Sequence, residues 1–185
     1  MTAPAGARWV MDTSTFTHFC RAGHQDILRR LAPGGLILIP DTVYSEVENG
    51  RDRGYAIPSI AELSWVELGV LTTEETNSQL RIKIDIPSKK GDSPRKNLGE
   101  CAVLACAIHR NMVAVIDDSA ARAQARQRGV RFVTSMWIIA AAYKYLDDVD
   151  SAVAERIYED LRSTGMRLPM VGSIIGWAYE IGLLP

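Results

Sequence analysis

The segment Val10-Met11-Asp12-Thr13-Ser14 places an acidic residue directly after a short apolar run. Three further junctions of this kind follow along the chain: Val43-Tyr44-Ser45-Glu46, Leu98-Gly99-Glu100 and Val113-Ala114-Val115-Ile116-Asp117-Asp118. A carboxylate just past a buried strand, or on the first turns of the next helix, lies at the carboxyl edge of a parallel sheet, where open α/β folds place their sites. The four junctions therefore predict an α/β fold with an acidic site at one edge of the sheet.

Apolar runs typical of buried strands alternate along the chain with segments of helical periodicity. This alternation predicts a parallel sheet that helices cover on both faces. A helical segment is predicted over 14–31 with an irregularity at Gly23, and a helix capped by Asp41 or Thr42 is predicted to run to about Gly50. The predicted strands are 8–11, 36–39, 65–70, 113–116 and 130–133, and the other predicted helices begin near residue 73 or cover 98–110, 119–128, 135–145 and 150–163.

Composition limits the classes of protein that this chain can represent. Its 185 residues are 47% hydrophobic and 23% charged, which fits one domain with a sizeable core. The net charge of −1 argues against binding nucleic acid through bulk positive charge but leaves room for a local basic patch. Cys20, Cys101 and Cys106 lack metal-type spacing, which indicates reduced thiols and a cytoplasmic location. The chain shows no apolar signal segment, and the apolar stretches 136–142 and 170–184 are too short or too interrupted to span a bilayer, so we expect no membrane association.

The predicted site takes one acid from each junction: Asp12, Glu46, Glu100 and Asp118. Clustered carboxylates repel one another unless a cation neutralises them. A ligand set made only of oxygens favours Mg²⁺ or Mn²⁺ over zinc, and such an ion can activate water and orient a phosphodiester for in-line hydrolysis. Each acid alone has a structural alternative, because Asp12 can cap a helix, Glu46 can be a solvated helix residue and Glu100 can complement a helix dipole. Asp117 and Asp118 can likewise form a turn that caps the following helix.

The four junctions together resemble the motifs of PIN-domain ribonucleases. Val10-Met11-Asp12-Thr13-Ser14 is similar to the first motif and Ile39–Val47 to the second. Leu98–Ala105 and Val115–Arg122 are similar to the third and fourth, in the variant that has Gly-Glu in place of the more usual Asp. The resemblance keeps the order of the motifs and covers roughly residues 8–144. Many bacterial members of this family resemble VapC-type toxins of toxin–antitoxin pairs.

The resemblance implies an Mg²⁺- or Mn²⁺-dependent endoribonuclease with a three-layer α/β/α fold. Its catalytic and metal-binding acids would be Asp12, Glu46, Glu100 and Asp118. Asp117 would either share the metal or face away from it, and the Ser14 hydroxyl would lie near the substrate. We expect a nuclease domain over 1–146 and a C-terminal helical extension over 147–185 that packs on this domain or at an interface.

Basic residues concentrate between Arg81 and Lys96, just before Glu100. Such a run is commonly a solvated loop, but its position also suits a flap that contacts RNA phosphates. Arg122, four residues after Asp118, is a further candidate for the substrate. The candidates for substrate binding in the basic segment are Lys89, Lys90, Arg95 and Lys96.

Partners follow from the same resemblance and from the apolar C-terminus. We expect RNA as substrate, an antitoxin protein as a partner if the chain is a toxin, and a homodimer closed by residues 170–184. A non-catalytic PIN-like protein that binds nucleic acid or acts as a scaffold is the alternative. The three histidines show neither triad nor metal-ligand spacing and are not predicted to act in catalysis.

Overall fold

A computed structural model describes residues 6–86, 91 and 93–185 of the chain. In this part of the chain, five strands form one parallel sheet in the order β3-β2-β1-β4-β5. The strands are β1 (Trp9–Met11), β2 (Ile37–Pro40), β3 (Val66–Gly69), β4 (Val113–Val115) and β5 (Phe132–Val133). Every residue of β1, β2 and β4 is buried, as expected for central parallel strands that are covered on both faces.

Helices cover the two faces of this sheet and complete a three-layer α/β/α fold, which confirms the predicted fold class. On one side α5 packs against β1, β2 and β4, and α3, α4 and α6 pack on α5. On the other side α7 packs with α2, α8 and α9, and α8 also contacts α1. The helices of the described residues are α1 (Thr13–Arg21), α2 (Gln25–Leu31), α3 (Asp41–Asp52), α4 (Thr73–Asp85), α5 (Leu98–His109), α6 (Ser119–Gln127), α7 (Ser135–Tyr145), α8 (Ser151–Ser163) and α9 (Ile174–Glu180).

Two local predictions need correction. The irregularity predicted at Gly23 is a complete break between α1 and α2, because Gly23 adopts a φ of 77° that ends the first helix. Helix α3 begins after Pro40 without a side-chain cap, so neither Asp41 nor Thr42 caps it, and it continues to Asp52. The fixed φ of Pro40 and its missing N–H suit a residue at the start of a helix.

The composition of α5 explains how this helix can lie in the centre of the domain. Its sequence consists largely of Ala, Cys, Val and Leu, and eight of its residues are buried. Small side chains allow the sheet, α3 and α4 to approach the helix closely. The amino end of α5 therefore meets the carboxyl edge of the sheet and carries Glu100 there.

The C-terminal helices share the hydrophobic core with the sheet. Ile174, Ala178, Leu183 and Leu184 are buried in this core, whereas Ile181 is half exposed. The boundary at residue 146 between a nuclease domain and an extension stays a prediction. No helix among the described residues has the length and apolar character needed to cross a membrane.

Candidate metal and nucleic-acid site

A pocket of about 540 Å³ opens at the carboxyl edge of the sheet, next to the ends of β1 and β4. These strands are adjacent and parallel, with Met11 opposite Val115, and the chain leaves β1 toward β2 on the other side. The crevice is thus the topological switch point of the sheet, where open α/β folds bind ligands. The pocket is lined by Asp12, Ser14, His18, Glu100, Asp117, Asp118, Ser119, Arg122, Gly165, Met166 and Arg167.

Asp12 is the most deeply buried acid of the pocket, with 1% of its surface exposed. It caps α1, because its Oδ1 accepts a hydrogen bond of 2.8 Å from the backbone N–H of Thr15. Its Oδ2 is buried and has no hydrogen-bond partner. Burial raises the pKa of Asp12 well above its ordinary value, and the charges of Asp117 and Glu100 raise it further. This buried oxygen therefore requires a cation or a proton to compensate the loss of water around it.

Asp117 joins three elements through its carboxylate. It accepts hydrogen bonds from the Thr15 hydroxyl at 3.0 Å, from the Ser135 N–H at 3.0 Å and from the Ser135 hydroxyl at 2.6 Å. These bonds connect the end of β4 to the first turns of α1 and α7. Asp117 thus lines the pocket, but both of its carboxylate oxygens already accept hydrogen bonds.

Asp118 combines a structural and an electrostatic position. Its Oδ1 caps α6 by accepting a hydrogen bond of 2.9 Å from the N–H of Ala121. The capping role that the sequence allowed for Asp118 is therefore real. Its charge also raises the pKa of Glu100, which shows that the two carboxylates are close.

Glu100 and Glu46 meet across the first turn of α5. Burial raises the pKa of both carboxyl groups, and the charge of Glu46 raises that of Glu100 further. Glu46 accepts hydrogen bonds from the Thr13 hydroxyl and from the backbone N–H of Gly99. A Cβ at position 99 would lie 2.7 Å from Glu46 Oε2, so only glycine lets this carboxylate approach the helix. The close approach of Glu46 therefore explains why the third motif has glycine directly before Glu100.

Glu46 does not line the main pocket but an adjoining groove of about 430 Å³. Arg95 lines the same groove, together with Asp41 and Thr42. Of the other predicted substrate residues, Ser14 and Arg122 line the main pocket. Lys96 lies in the turn before α5, where its N–H donates to the carbonyl of Ser93 at 2.9 Å. Lys89 and Lys90 lie outside the described residues.

Several residues of the pocket wall escaped sequence reasoning. His18 lies one helical turn after Ser14, on the same face of α1, and this spacing could have revealed it. Ser119 directly follows Asp118, and this position in the sequence also indicates a place near the site. No local signal points to Gly165, Met166 and Arg167, because only the packing of α8 against α1 brings their loop to the pocket.

The donor chemistry of the site fits a divalent cation, although the ligands are not preassembled. Among the residues that the structure describes, no group of three His, Cys, Asp or Glu side chains is arranged to hold a metal ion. Hydrogen bonds already occupy oxygens of Asp117, Asp118 and Glu46. The unpartnered, buried Asp12 oxygen and the acidic groups around it nevertheless match the preference of Mg²⁺ and Mn²⁺ for carboxylate oxygens.

The all-parallel sheet and the acidic pocket at its switch point define an open α/β domain with a ligand site at the carboxyl edge of the strands. A family model described as DUF3368, a PIN domain, matches residues 8–170, and the chain therefore belongs to the PIN-domain family. This finding confirms the resemblance seen in the four sequence motifs. PIN domains are generally nucleases, which are hydrolases, and they typically use divalent metals. No curated protein matches the chain.

Proposed function

We propose that this protein is an Mg²⁺- or Mn²⁺-dependent endoribonuclease that hydrolyses RNA phosphodiester bonds in the acidic pocket. The observation that carries the proposal is the unpartnered Oδ2 of Asp12, buried at the switch point beside Asp117 and Glu100. A fold keeps an uncompensated buried carboxylate when a ligand supplies what is missing. Because this oxygen faces other acids, the missing ligand is a cation.

The ion would be held by Asp12, Glu100 and Asp118. Glu46 would lie next to Glu100, and Asp117 would keep its hydrogen bond with Ser135. When bound, the ion supplies an activated water and stabilises charge on the leaving oxygen. The hydrogen bonds to Asp117 fix the start of α7 and hold the end of β4 in place. The Glu46 carboxylate, held by Thr13 and Gly99, keeps the first turn of α5 close to α1.

Positive charge near the acids supports an anionic substrate. Arg122 lines the pocket and Arg95 lines the adjoining groove beside Glu46. Together with Lys89, Lys90 and Lys96, Arg95 would contact phosphates without reading sequence. Ser14, at the exposed start of α1, would contact the substrate through its hydroxyl.

A non-catalytic member of the family that binds nucleic acid or acts as a scaffold is the second candidate. The specific observation in its favour is that no ready-made metal-ligand group exists among the described residues. Such a protein would bind RNA through its arginines and leave it intact.

The proposal extends to the biological setting. The likeness of many bacterial family members to VapC-type toxins supports the toxin of a toxin–antitoxin pair, with an antitoxin protein as its partner, although this chain is longer than a minimal toxin. Free, buried Cys20, Cys101 and Cys106 support a reducing cytoplasm. The half-exposed Ile181 borders an apolar groove that Trp137 and Trp177 also line, which supports a homodimer contact at the C-terminus.

Cleavage of end-labelled RNA by the purified protein tests the proposed function. We expect cleavage of single-stranded RNA with Mg²⁺ or Mn²⁺ and none with EDTA. Protein that has passed a further purification step should give the same products, which excludes a contaminating ribonuclease. Glu100→Gln should abolish cleavage, whereas Glu62→Gln, an exposed acid remote from the junctions in sequence, should keep it. Binding of RNA without cleavage under all metal conditions would favour the non-catalytic candidate. A DNA strand of the same sequence distinguishes a ribonuclease from a general nuclease.

A further inference from the structure

Two arginines without acidic partners line the acidic pocket. Arg122 comes from the first turn of α6, and Arg167 comes from the loop after α8. Within the described part of the chain, neither side chain forms an ion pair or a hydrogen bond, and the buried Nε of Arg122 has no acceptor. Other arginines of the protein do find carboxylates, as Arg110 does with Glu75 and Arg128 with Asp85. Two cations therefore lie beside unneutralised acids without pairing with them.

The loop that carries Arg167 is a built structure. Met166 and Leu168 are 6% and 9% exposed, and they anchor the loop on either side of the exposed Arg167. The N–H of Leu168 donates to the carbonyl of Met166 at 3.1 Å, which forms a γ-turn centred on Arg167. The turn and its two apolar anchors present the Arg167 side chain to the pocket.

Hydrogen bonds fix this loop to the wall of the site. The Thr164 hydroxyl donates to the carbonyl of Leu161 at 2.6 Å, so it accepts its bond of 2.6 Å from Nδ1 of His18. His18 belongs to α1 and lines the pocket itself. On the far side of the loop, the Tyr158 hydroxyl donates to the carbonyl of Pro169 at 2.8 Å. Arg167 is thus held at the pocket from both ends of its loop.

We propose that Arg122 and Arg167 form a two-arginine clamp for the phosphates of RNA, with Arg167 supplied by the C-terminal part of the chain. Arginines that only neutralised the acids would pair with them, whereas an incoming phosphodiester can engage both guanidinium groups. Planar guanidinium groups bind phosphate oxygens in pairs and would orient the RNA backbone along the pocket. This clamp rests on the proposed function, because it takes RNA as the ligand of this pocket.

Binding of a fluorescently labelled single-stranded RNA in EDTA tests the clamp without cleavage. Full-length wild type, Arg167→Gln and Arg156→Gln are compared by fluorescence anisotropy over a series of salt concentrations. We expect Arg167→Gln to bind about 10-fold more weakly, and the slope of log affinity against log salt to decrease in magnitude by about 0.7, the value for one lost contact to a single strand. Arg156→Gln removes an exposed charge of α8 that does not line the pocket and should leave affinity and slope unchanged.

The outcomes separate the clamp from the proposed function. Wild-type affinity and slope in Arg167→Gln, or an equal loss in Arg156→Gln, would overturn the clamp and leave the nuclease proposal standing. RNA that is bound with the expected losses but never cleaved with Mn²⁺ would overturn the nuclease and keep the clamp. A wild type that binds no RNA in EDTA would overturn the clamp, and the cleavage assay with Mg²⁺ or Mn²⁺ would still decide the nuclease proposal. If Arg167→Gln fails to fold, Arg167→Lys decides: a kept slope with weaker affinity supports the clamp, and wild-type affinity overturns it.

Discussion

Asp12→Asn should stabilise the metal-free protein while it removes nuclease activity. The substitution keeps the cap on α1, because asparagine accepts the Thr15 N–H as well as aspartate does. It replaces the unpartnered Oδ2, which lies beside Asp117 and Glu100, with an amide N–H₂ group that can donate to these acids. An unsatisfied buried acceptor costs about 1–3 kcal/mol, so we expect a gain of about this size in the free energy of unfolding. For a domain of this length, each kcal/mol shifts the Tm by about 2–4 °C.

The pH dependence of this gain has a definite sign. The pKa of Asp12 is raised in the folded protein, so ionisation of this group destabilises the fold. The penalty is complete above the folded pKa, and it disappears as pH falls toward the ordinary value of 3.8. The Tm of Asp12→Asn should therefore exceed that of wild type by the largest margin at neutral and alkaline pH. In acid the two Tm values should converge.

Thermal unfolding followed by circular dichroism in EDTA at several pH values measures this difference. Glu46 and Glu100 also have raised pKa values and are present in both proteins, but the variant loses the repulsion between Asp12 and Glu100, which adds to the expected gain. Asp52→Asn, an exposed aspartate at the end of α3, is the matched control and should change stability by less than about 0.5 kcal/mol. A lower Tm for Asp12→Asn at neutral pH, or a gain that does not depend on pH, would refute the reasoning.

Gly99→Ala should lower cleavage by about 100-fold, because the new Cβ displaces the Glu46 carboxylate, whereas Gly172→Ala, with open space around its Cβ, should be neutral in the same assay. Arg110→Leu should destabilise the fold by about 3 kcal/mol in urea unfolding, since it strands the buried Glu75. Arg110 lowers the pKa of Glu75, so the ion pair stabilises the fold fully above pH 4.5, the ordinary pKa of a glutamate, and loses this effect as pH falls below it. A difference in unfolding free energy between wild type and Arg110→Leu that stays constant down to strong acid would contradict this. Simultaneous neutralisation of four basic residues should weaken RNA affinity and flatten its salt dependence. The residues changed are Lys89, Lys90, Arg95 and Lys96. Wild-type affinity and salt dependence would show that this segment does not contact RNA.

The sequence predicted those features of the site that depend on local pattern and on sheet topology. Asp12 and Asp118 follow strands that turned out to be neighbours, so a rule about strand ends was sufficient to bring them to one edge. Glu100 followed from the first turn of a strongly helical segment. The alternation of strands and helices likewise predicted the parallel sheet, because the apolar runs at 8–11, 36–39 and 113–116 matched its three buried central strands.

Features that depend on long-range packing could not be predicted in this way. The engagement of Asp117 depends on Ser135, which comes to it because β5 pairs with β4 and brings the residues after the two strands together. The need for glycine at position 99 depends on the approach of Glu46 from α3. Arg167 reaches the pocket because α8 packs beside α1, and its surrounding sequence carries no sign of that contact.

Direct binding of Mn²⁺, followed by electron paramagnetic resonance of the free ion, tests most directly whether the acidic pocket is a metal site. We expect the wild-type protein to bind Mn²⁺ and Asp12→Asn to bind it at least about 10-fold more weakly, with Asp52→Asn unchanged. The loss should occur without unfolding, since Asp12→Asn is expected to be the more stable protein. Equal Mn²⁺ affinity in wild type and Asp12→Asn, or no binding by either, would contradict a metal-dependent nuclease site at the end of β1.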